Sequence, residues 1–176
     1  MEPVEKKLEL PDILFRSTVA DAKSDEILFE QYKLYVELLD RISERRQHAN
    51  SFFLSINTGI CAVAGYLFSK DSTPELRSLF WCLPLAGILL SYFWFRMVKS
   101  YRDLNSAKFT VVHAIEERLP IAPYRAEWFY LDEGKDPKKY TPFTHLEIWI
   151  PRLFIVMYVW FLLAQLWPRI FPPHTP

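Results

Sequence analysis

The architecture of this chain follows from Arg45-Arg46-Gln47-His48-Ala49-Asn50-Ser51-Phe52-Phe53-Leu54-Ser55-Ile56-Asn57-Thr58. Here a charged sequence with helical periodicity runs into an uncharged, apolar one, and the first Pro or Gly after it is Gly59. A helix that continues without a break from charged into apolar sequence is typical of a chain that passes from water into lipid. We therefore predict an integral membrane protein.

Three uncharged runs, at 47–69, 78–95 and 153–168, are candidate membrane spans. A bilayer core of about 30 Å requires roughly 20 helical residues. The first two runs are long enough, and residues 148–150 extend the third if the Arg152 side chain reaches back to the interface. A buried helix of a soluble protein is the alternative, and it is strongest for the third run.

Hydrophobic periodicity continues into the charged sequence beside the first two runs. Leu28, Tyr32, Tyr35, Leu39 and Ile42 form a helix-packing stripe. A second stripe, which Pro120 ends, consists of Met97, Tyr101, Leu104, Val111, Ile115 and Leu119. The two stripes are expected to pack against each other in the cytoplasm.

The predicted fold is an all-α integral membrane protein: a long antiparallel helical hairpin that extends from the membrane into the cytoplasm, plus a third transmembrane helix. Its predicted segments are an N-terminal arm (1–23), a cytoplasmic helix (24–50), transmembrane helix 1 (51–69), an external turn (70–77), transmembrane helix 2 (78–98), a cytoplasmic helix (99–119), a Pro- and aromatic-rich cytoplasmic segment (120–145), transmembrane helix 3 (147–167) and an external tail (168–176).

Charges and aromatic residues at the ends of the spans predict the orientation. The candidate membrane-interface anchors are Arg45, Arg46, Arg96, Lys99, Arg152, Trp149 and Trp167. Most basic residues flank the same ends of the spans, so the positive-inside rule places the N-terminus in the cytoplasm and the C-terminus outside. A bilayer is thus one expected partner. The 21 basic and 21 acidic residues balance, so no nucleic acid is expected to bind.

Polar residues inside the spans are the candidate functional positions. Asn57, Ser55 and Thr58 lie in the first span, and Gln165 lies in the third. Polar groups in hydrocarbon face either another helix or a water-filled lumen, so these four are candidates for helix packing or for lining a pore. Three further positions are small enough for a close helix approach: Gly59, Ala62 and Gly65.

Residues with catalytic potential form only weak patterns. The spacing of Arg41 and His48 is compatible with HEPN ribonucleases, but basic residues beside a span are more simply lipid-headgroup anchors. His113, Glu116 and Glu117 share one helix face, where a metal or proton site is the alternative to a solvated face. No phosphate-binding loop or nucleophile motif is present. We expect no enzyme, no cofactor, no metal and no small-molecule substrate.

Several motifs resemble the RipA family of octameric bacterial membrane proteins. They are Arg45-Arg46-Gln47, the run 49–54, Ile56-Asn57-Thr58, the run 100–109, Arg118-Leu119-Pro120, Pro123-Tyr124, Ala126-Glu127-Trp128, Gly134-Lys135-Asp136-Pro137 and Pro142-Phe143-Thr144-His145. The resemblance covers about residues 30–155. The octameric membrane accessory proteins of type VI-B CRISPR systems are more distantly similar.

The resemblance implies a multi-pass protein of the bacterial inner membrane that assembles with itself, with octameric stoichiometry. It supplies no catalytic residues. The function expected is a ring that is pore- or channel-like and has a cytoplasmic vestibule. The alternatives are a non-conducting membrane scaffold or stress and defence factor, and a membrane-tethered HEPN-like ribonuclease.

Overall fold

A computed structural model describes residues 10–15, 22–68, 74–140 and 143–170. Regular structure in these residues is helical, without a strand. The helices are α1 (Leu10–Leu14), α2 (Ala22–Phe68), α3 (Pro74–Glu116), α4 (Pro123–Tyr130) and α5 (Phe143–Ile170). The predicted N-terminal arm, external turn and external tail lie in part outside the described residues.

The two longest helices run through the boundaries that the sequence predicts between water and lipid. α2 has 47 residues and α3 has 43. Pro74 opens α3, where a proline costs no hydrogen bond, while Pro84 lies inside this helix and is buried. α3 ends at Glu116, and the next turn is tightened by bonds from the Arg118 and Leu119 amides to the carbonyls three residues earlier.

The chain divides into two compact units, and both α2 and α3 contribute to each of them. The first unit comprises residues 1–44 and 103–141, and the second comprises 45–102 and 142–176. We refer to them as the terminal unit and the span unit.

The terminal unit has a core in which the two predicted stripes meet. Its buried residues are Tyr32, Leu39, Val112 and Ile115. Other members of the stripes pack around them, namely Leu28, Tyr35, Val111 and Leu119. The expected packing is confirmed for these residues, whereas Leu104 of the second stripe is exposed and Val112, outside the predicted stripe, is buried. From the N-terminal arm, Leu14 packs on the same core.

The span unit brings together α2, α3 and α5. A row of aromatic rings connects them: Phe53 of α2 stacks on Trp94 of α3 at 6.0 Å between ring centroids, and Phe154 of α5 lies 6.1 Å from Trp94. Tyr158 follows Phe154 at 6.2 Å. Trp94 is 2% exposed, so the row is the centre of this unit.

Two described helical segments are long and apolar enough to cross a membrane. They are Trp81–Glu116 and Glu147–Trp167. Only 28% of the apolar stretch in the first segment and 22% of that in the second are buried within the protomer. Most of both stretches is therefore not covered by the rest of the chain. The predicted span 51–69 extends beyond the described residues and is not among these segments. A third transmembrane helix therefore stays a prediction.

Candidate functional site

A buried polar cluster lies in the span unit, at the centre of its three helices. Asn57 of α2 and Ser91 of α3 are both 0% exposed. The Ser91 hydroxyl donates to Asn57 Oδ1 at 2.9 Å, and the Asn57 amide donates to the Phe53 carbonyl at 2.8 Å. Each polar atom of the Asn57 side chain thus has a partner, as buried polar groups require.

Tyr158 of α5 completes this cluster. Its hydroxyl lies 3.1 Å from the Asn57 carbonyl oxygen and 3.2 Å from Asn57 Oδ1, so that its proton is shared between two acceptors. The Cys61 thiol donates to the same hydroxyl at 3.4 Å. Hydrogen bonds at this one position therefore join α2 to both α3 and α5.

Gly87 provides the space for the Tyr158 ring. A Cβ at this position would lie 2.4 Å from the Tyr158 Cε2 and Cζ atoms. Only glycine leaves room for the ring here, because any side chain would overlap it. The candidates for close approach predicted on α2 behave differently: a Cβ on Gly59 or Gly65 would meet nothing within 4 Å in the protomer.

A second polar group lies one to two turns before this cluster on α2. The Trp94 indole donates to Asn50 Oδ1 at 2.8 Å, and the Asn50 amide donates to Glu147 Oε1 at 3.0 Å. Glu147 is 6% exposed, and its Oε2 accepts no hydrogen bond within the described structure. The nearest compensating charge is the Arg46 guanidinium, 3.7 Å from Oε2.

On α2 beside these clusters, Phe52, Leu54, Val63 and Tyr66 are exposed. Alongside them runs an exposed stripe of small, weakly polar residues. It consists of Ser51, Ser55, Thr58, Ala62 and Gly65, which follow one another at helical spacings of four and three residues. The Ser55 and Thr58 hydroxyls each donate to the carbonyl four residues earlier at 2.8 Å. We call these five residues the small face of α2.

Large apolar side chains dominate the exposed surface elsewhere in the span unit. Leu85, Leu89 and Phe93 on α3 are about half exposed, and Leu153, Val156 and Trp160 on α5 are more than half exposed. The small face therefore differs chemically from the neighbouring surface.

The predicted site residues fall into separate places. Asn57 lies inside the protomer, whereas Ser55 and Thr58 lie on its surface, and Gln165 is half-buried on α5. The contacts of Asn57 favour helix packing over pore lining, and the exposure of Ser55 and Thr58 leaves both roles open. Seven residues of these clusters were not predicted as site residues from the sequence: Ser91, Tyr158, Cys61, Gly87, Asn50, Trp94 and Glu147.

The predicted interface anchors also differ among themselves. Arg45, Arg96 and Lys99 are exposed, while Arg46 is half-buried beside Glu147. The Arg152 guanidinium lies over the rings of Phe95 and Trp149, at 5.0 Å and 5.3 Å from their centroids. Trp149 and Trp167 are both exposed.

In the terminal unit, Glu116 is buried rather than solvated, which corrects the expectation of a solvated face. Its Oε1 accepts from the Tyr32 hydroxyl and the Tyr124 amide, each at 2.9 Å, and its Oε2 accepts from the Arg125 amide at 3.0 Å. The carboxylate thereby caps the first turn of α4, where the helix dipole favours negative charge. Burial and then this hydrogen bond raise the pKa of Tyr32 well above its ordinary value.

Glu117 and His113, which the sequence placed on the same helix face as Glu116, make separate contacts. Glu117 pairs with Arg125 at 3.0 Å on the surface. His113 lines a cavity, and its Nε2 is buried without a hydrogen-bond partner among the described residues. No group of three potential metal ligands occurs in the described part of the chain.

Comparison with known proteins gives one match. The family model of the octameric membrane protein family (8xMP) matches residues 29–167, which is most of the chain. No curated protein and no solved structure matches.

Proposed function

The chain belongs to the octameric membrane protein family, and from this premise we propose that it forms a ring with a central membrane pore. It is an oligomeric membrane protein, as the resemblance in its motifs indicates. We also propose that the ring conducts, that each protomer crosses the bacterial inner membrane three times, and that its N-terminus is cytoplasmic.

The observation that carries the proposal is the small face of α2. In a bilayer, the exposed surface of a protomer meets lipid, a neighbouring protomer or the lumen of a ring. Large apolar side chains cover the surfaces of α3 and α5 and suit lipid. The hydroxyls of Ser55 and Thr58 suit contact with water or with another helix.

Asn57 supports this assignment indirectly. Its side chain is fully used within the protomer, so it serves to hold α2, α3 and α5 together rather than to face a lumen. The same residue keeps α2 in one rotational setting, because rotation about the helix axis would break its bonds to Ser91 and Tyr158. The small face is thereby directed away from the other two helices.

A non-conducting scaffold is the second candidate, and the same face favours it in a different way. Small residues allow neighbouring helices to approach closely in membranes, so the small face of α2 is equally suited to contact between protomers. In that arrangement the ring would be closed by α2, and its centre would hold lipid or no continuous water path.

Ion flux through liposomes distinguishes the two candidates. We expect the purified ring to release a trapped dye or ion, and the double variant Ser55→Leu, Thr58→Leu to reduce release at least about tenfold, because it replaces two lumen hydroxyls by bulky apolar side chains. Val63→Leu is the matched control on exposed apolar surface of the same helix.

The oligomer mass in detergent is measured for each variant in parallel. Release equal to that of empty liposomes would exclude the pore, and a double variant that loses the ring would assign the face to contact between protomers. Asn57→Leu tests the remaining position: it should lower the melting temperature, while flux per intact ring stays the same.

We propose no enzymatic role. The Arg41 guanidinium pairs with Glu37 at 2.7 Å, and His48 lies on an exposed face of α2. An RNA cleavage activity that His48→Ala abolishes would instead support the HEPN-like ribonuclease.

A further inference from the structure

A cavity of about 420 Å³ lies in the terminal unit, between the last turns of α3, α4 and the segment after it. Its volume is within the range of small-molecule sites, and most of its lining is aromatic or apolar. None of its lining residues belongs to the small face of α2. A ligand bound in this cavity would therefore be a function additional to the proposed pore.

Four of the rings that line this cavity form two edge-to-face pairs. The ring planes of Trp128 and Tyr140 meet at 84°, with centroids 6.5 Å apart, and those of Phe109 and Tyr124 meet at 66°, at 5.7 Å. Trp128 and Tyr140 are each more than a third exposed. The negative face of an aromatic ring attracts a cation, so a space lined by several rings suits one.

The charge of the lining has the matching sign. Glu127 contributes a carboxylate, and no Lys or Arg is among the described residues that line the cavity. No basic side chain of the described structure forms an ion pair with Glu127, whereas Glu117 on the neighbouring helix is paired with Arg125. A cation in the cavity would therefore gain a counter-ion that no basic side chain of the described residues pairs with.

His113 adds one directed polar group. Its side chain lines the cavity, and its buried Nε2 lacks a hydrogen-bond partner in the described part of the chain. An unpaired buried nitrogen is destabilising, and a ligand hydroxyl or N–H group that reached it would remove this cost.

We propose that this cavity binds a small organic ammonium ion, with its charge between the aromatic rings and Glu127 and a polar group bonded to His113. An anion or a phosphate-bearing ligand is disfavoured, because the lining offers it a carboxylate and no basic side chain. The ammonium could come from a free metabolite or from a lipid headgroup. The lack of a basic partner for the lipid phosphate favours the free ion.

Choline is the probe, because it combines a quaternary ammonium with one hydroxyl. Titration calorimetry on the solubilised full-length oligomer, in a detergent without ammonium groups, should give saturable binding at concentrations up to about 10 mM. The uncharged isostere 3,3-dimethylbutan-1-ol has the same shape and should bind at least about tenfold more weakly. Absence of saturable choline binding, or equal binding of the isostere, would overturn the proposal.

Variants then locate the bound choline. Glu127→Gln should raise the Kd at least about fivefold by removing the counter-ion, and Trp128→Leu about tenfold by removing one ring. The matched controls are Glu30→Gln, an exposed carboxylate of α2 in the same unit, and Phe129→Leu, an exposed ring of α4 outside the cavity. Unchanged affinity in both cavity variants would place the choline elsewhere and refute the site.

Nanodiscs separate the two sources of the ammonium. We expect the same choline affinity in discs of phosphatidylglycerol and in discs that also contain phosphatidylcholine. If choline bound more weakly only in the discs that contain phosphatidylcholine, the lipid headgroup would be competing for the cavity. That result would contradict the proposal that the ligand is a free ammonium ion. Flux measurements are not needed for either result, so failure of the pore proposal is distinguishable from failure of this one.

Discussion

Gly87 shows how one missing side chain positions a helix contact in the span unit. The Tyr158 ring lies directly on this glycine, and its hydroxyl thereby reaches the carbonyl and the side chain of Asn57. Sequence patterns pointed instead to Gly59 and Gly65, because they stand close together with Ala62 in one span. A lone glycine in an apolar run gives no comparable signal until the opposing aromatic ring is known.

We predict that Gly87→Ala destabilises the protomer, because the new Cβ would overlap the Tyr158 ring. Overpacking of this kind costs about 1–3 kcal/mol, and the melting temperature in detergent should fall. Gly59→Ala is the control, since its Cβ would meet nothing within 4 Å in the protomer. Equal melting temperatures for the two variants would contradict the close packing of Tyr158 on α3.

Glu116 shows why burial of a charged residue could not be inferred from its neighbours. In sequence it stands beside Glu117 on a helix with other charged residues, which is typical of a solvated face. Its partners are a phenol that lies 84 residues earlier and two amides of a helix that begins after it. These contacts depend on the pairing of α2 with α3 and on the position of α4, which local periodicity does not encode.

Helix α4 itself had a recognisable start in the sequence. Pro123 is in its first turn, where the ring of proline fits and its missing N–H is no loss. The prolines spaced through 120–145 exclude a long helix, and α4 is correspondingly short at eight residues. Its capping carboxylate comes from α3 rather than from an adjacent residue, so a local capping motif was absent.

The link between these elements should depend on alkaline pH. Tyr32 must be protonated to donate to Glu116, and its pKa is raised above 10.0 by burial and by this bond. A raised folded-state pKa means that the contribution to stability is complete below about pH 10 and is lost as the pH rises further. The pH range in which this stabilisation is lost therefore begins near the ordinary pKa of tyrosine.

We predict that Tyr32→Phe lowers the melting temperature at pH 8, because it removes a hydrogen bond to a carboxylate that is worth about 1.5–3 kcal/mol. The difference from the wild-type protein should shrink above pH 10, because the phenol of the unfolded chain then loses its proton while the buried phenol of the folded protein still holds it. Tyr130→Phe, at an 86% exposed position on α4, should leave the melting temperature unchanged at each pH. A constant difference from pH 8 to 11 would exclude this contribution of the phenol.

For the whole molecule, the sequence predicted the class of protein better than the details of its sites. Block-wise segregation of apolar and charged residues gave the all-helical membrane fold, and the motifs gave the family. The hydrogen-bonded clusters involve residues about 30 to 100 positions apart, such as Asn57 with Ser91 and Asn50 with Glu147. Their pairing follows from helix register, which single-helix patterns leave open.

The number of spans determines on which sides of the membrane the two ends lie. If 51–69 crosses the bilayer together with the segments in α3 and α5, the N-terminus and C-terminus are on opposite sides. We predict that a reporter active only in the cytoplasm works at the N-terminus and that a periplasmic reporter works at the C-terminus. Activity of one reporter type at both ends would indicate an even number of spans.

The buried carboxylate of Glu147 has a consequence for biosynthesis. This residue leaves the ribosome 97 residues after Asn50, the partner that donates to its Oε1. By then α2 and α3 have been made, and the Arg46 charge and the Asn50 amide are already present. The partners of Glu147 are therefore synthesised before α5. When α5 packs against α2 and α3, Arg46 and Asn50 are available to compensate the Glu147 carboxylate.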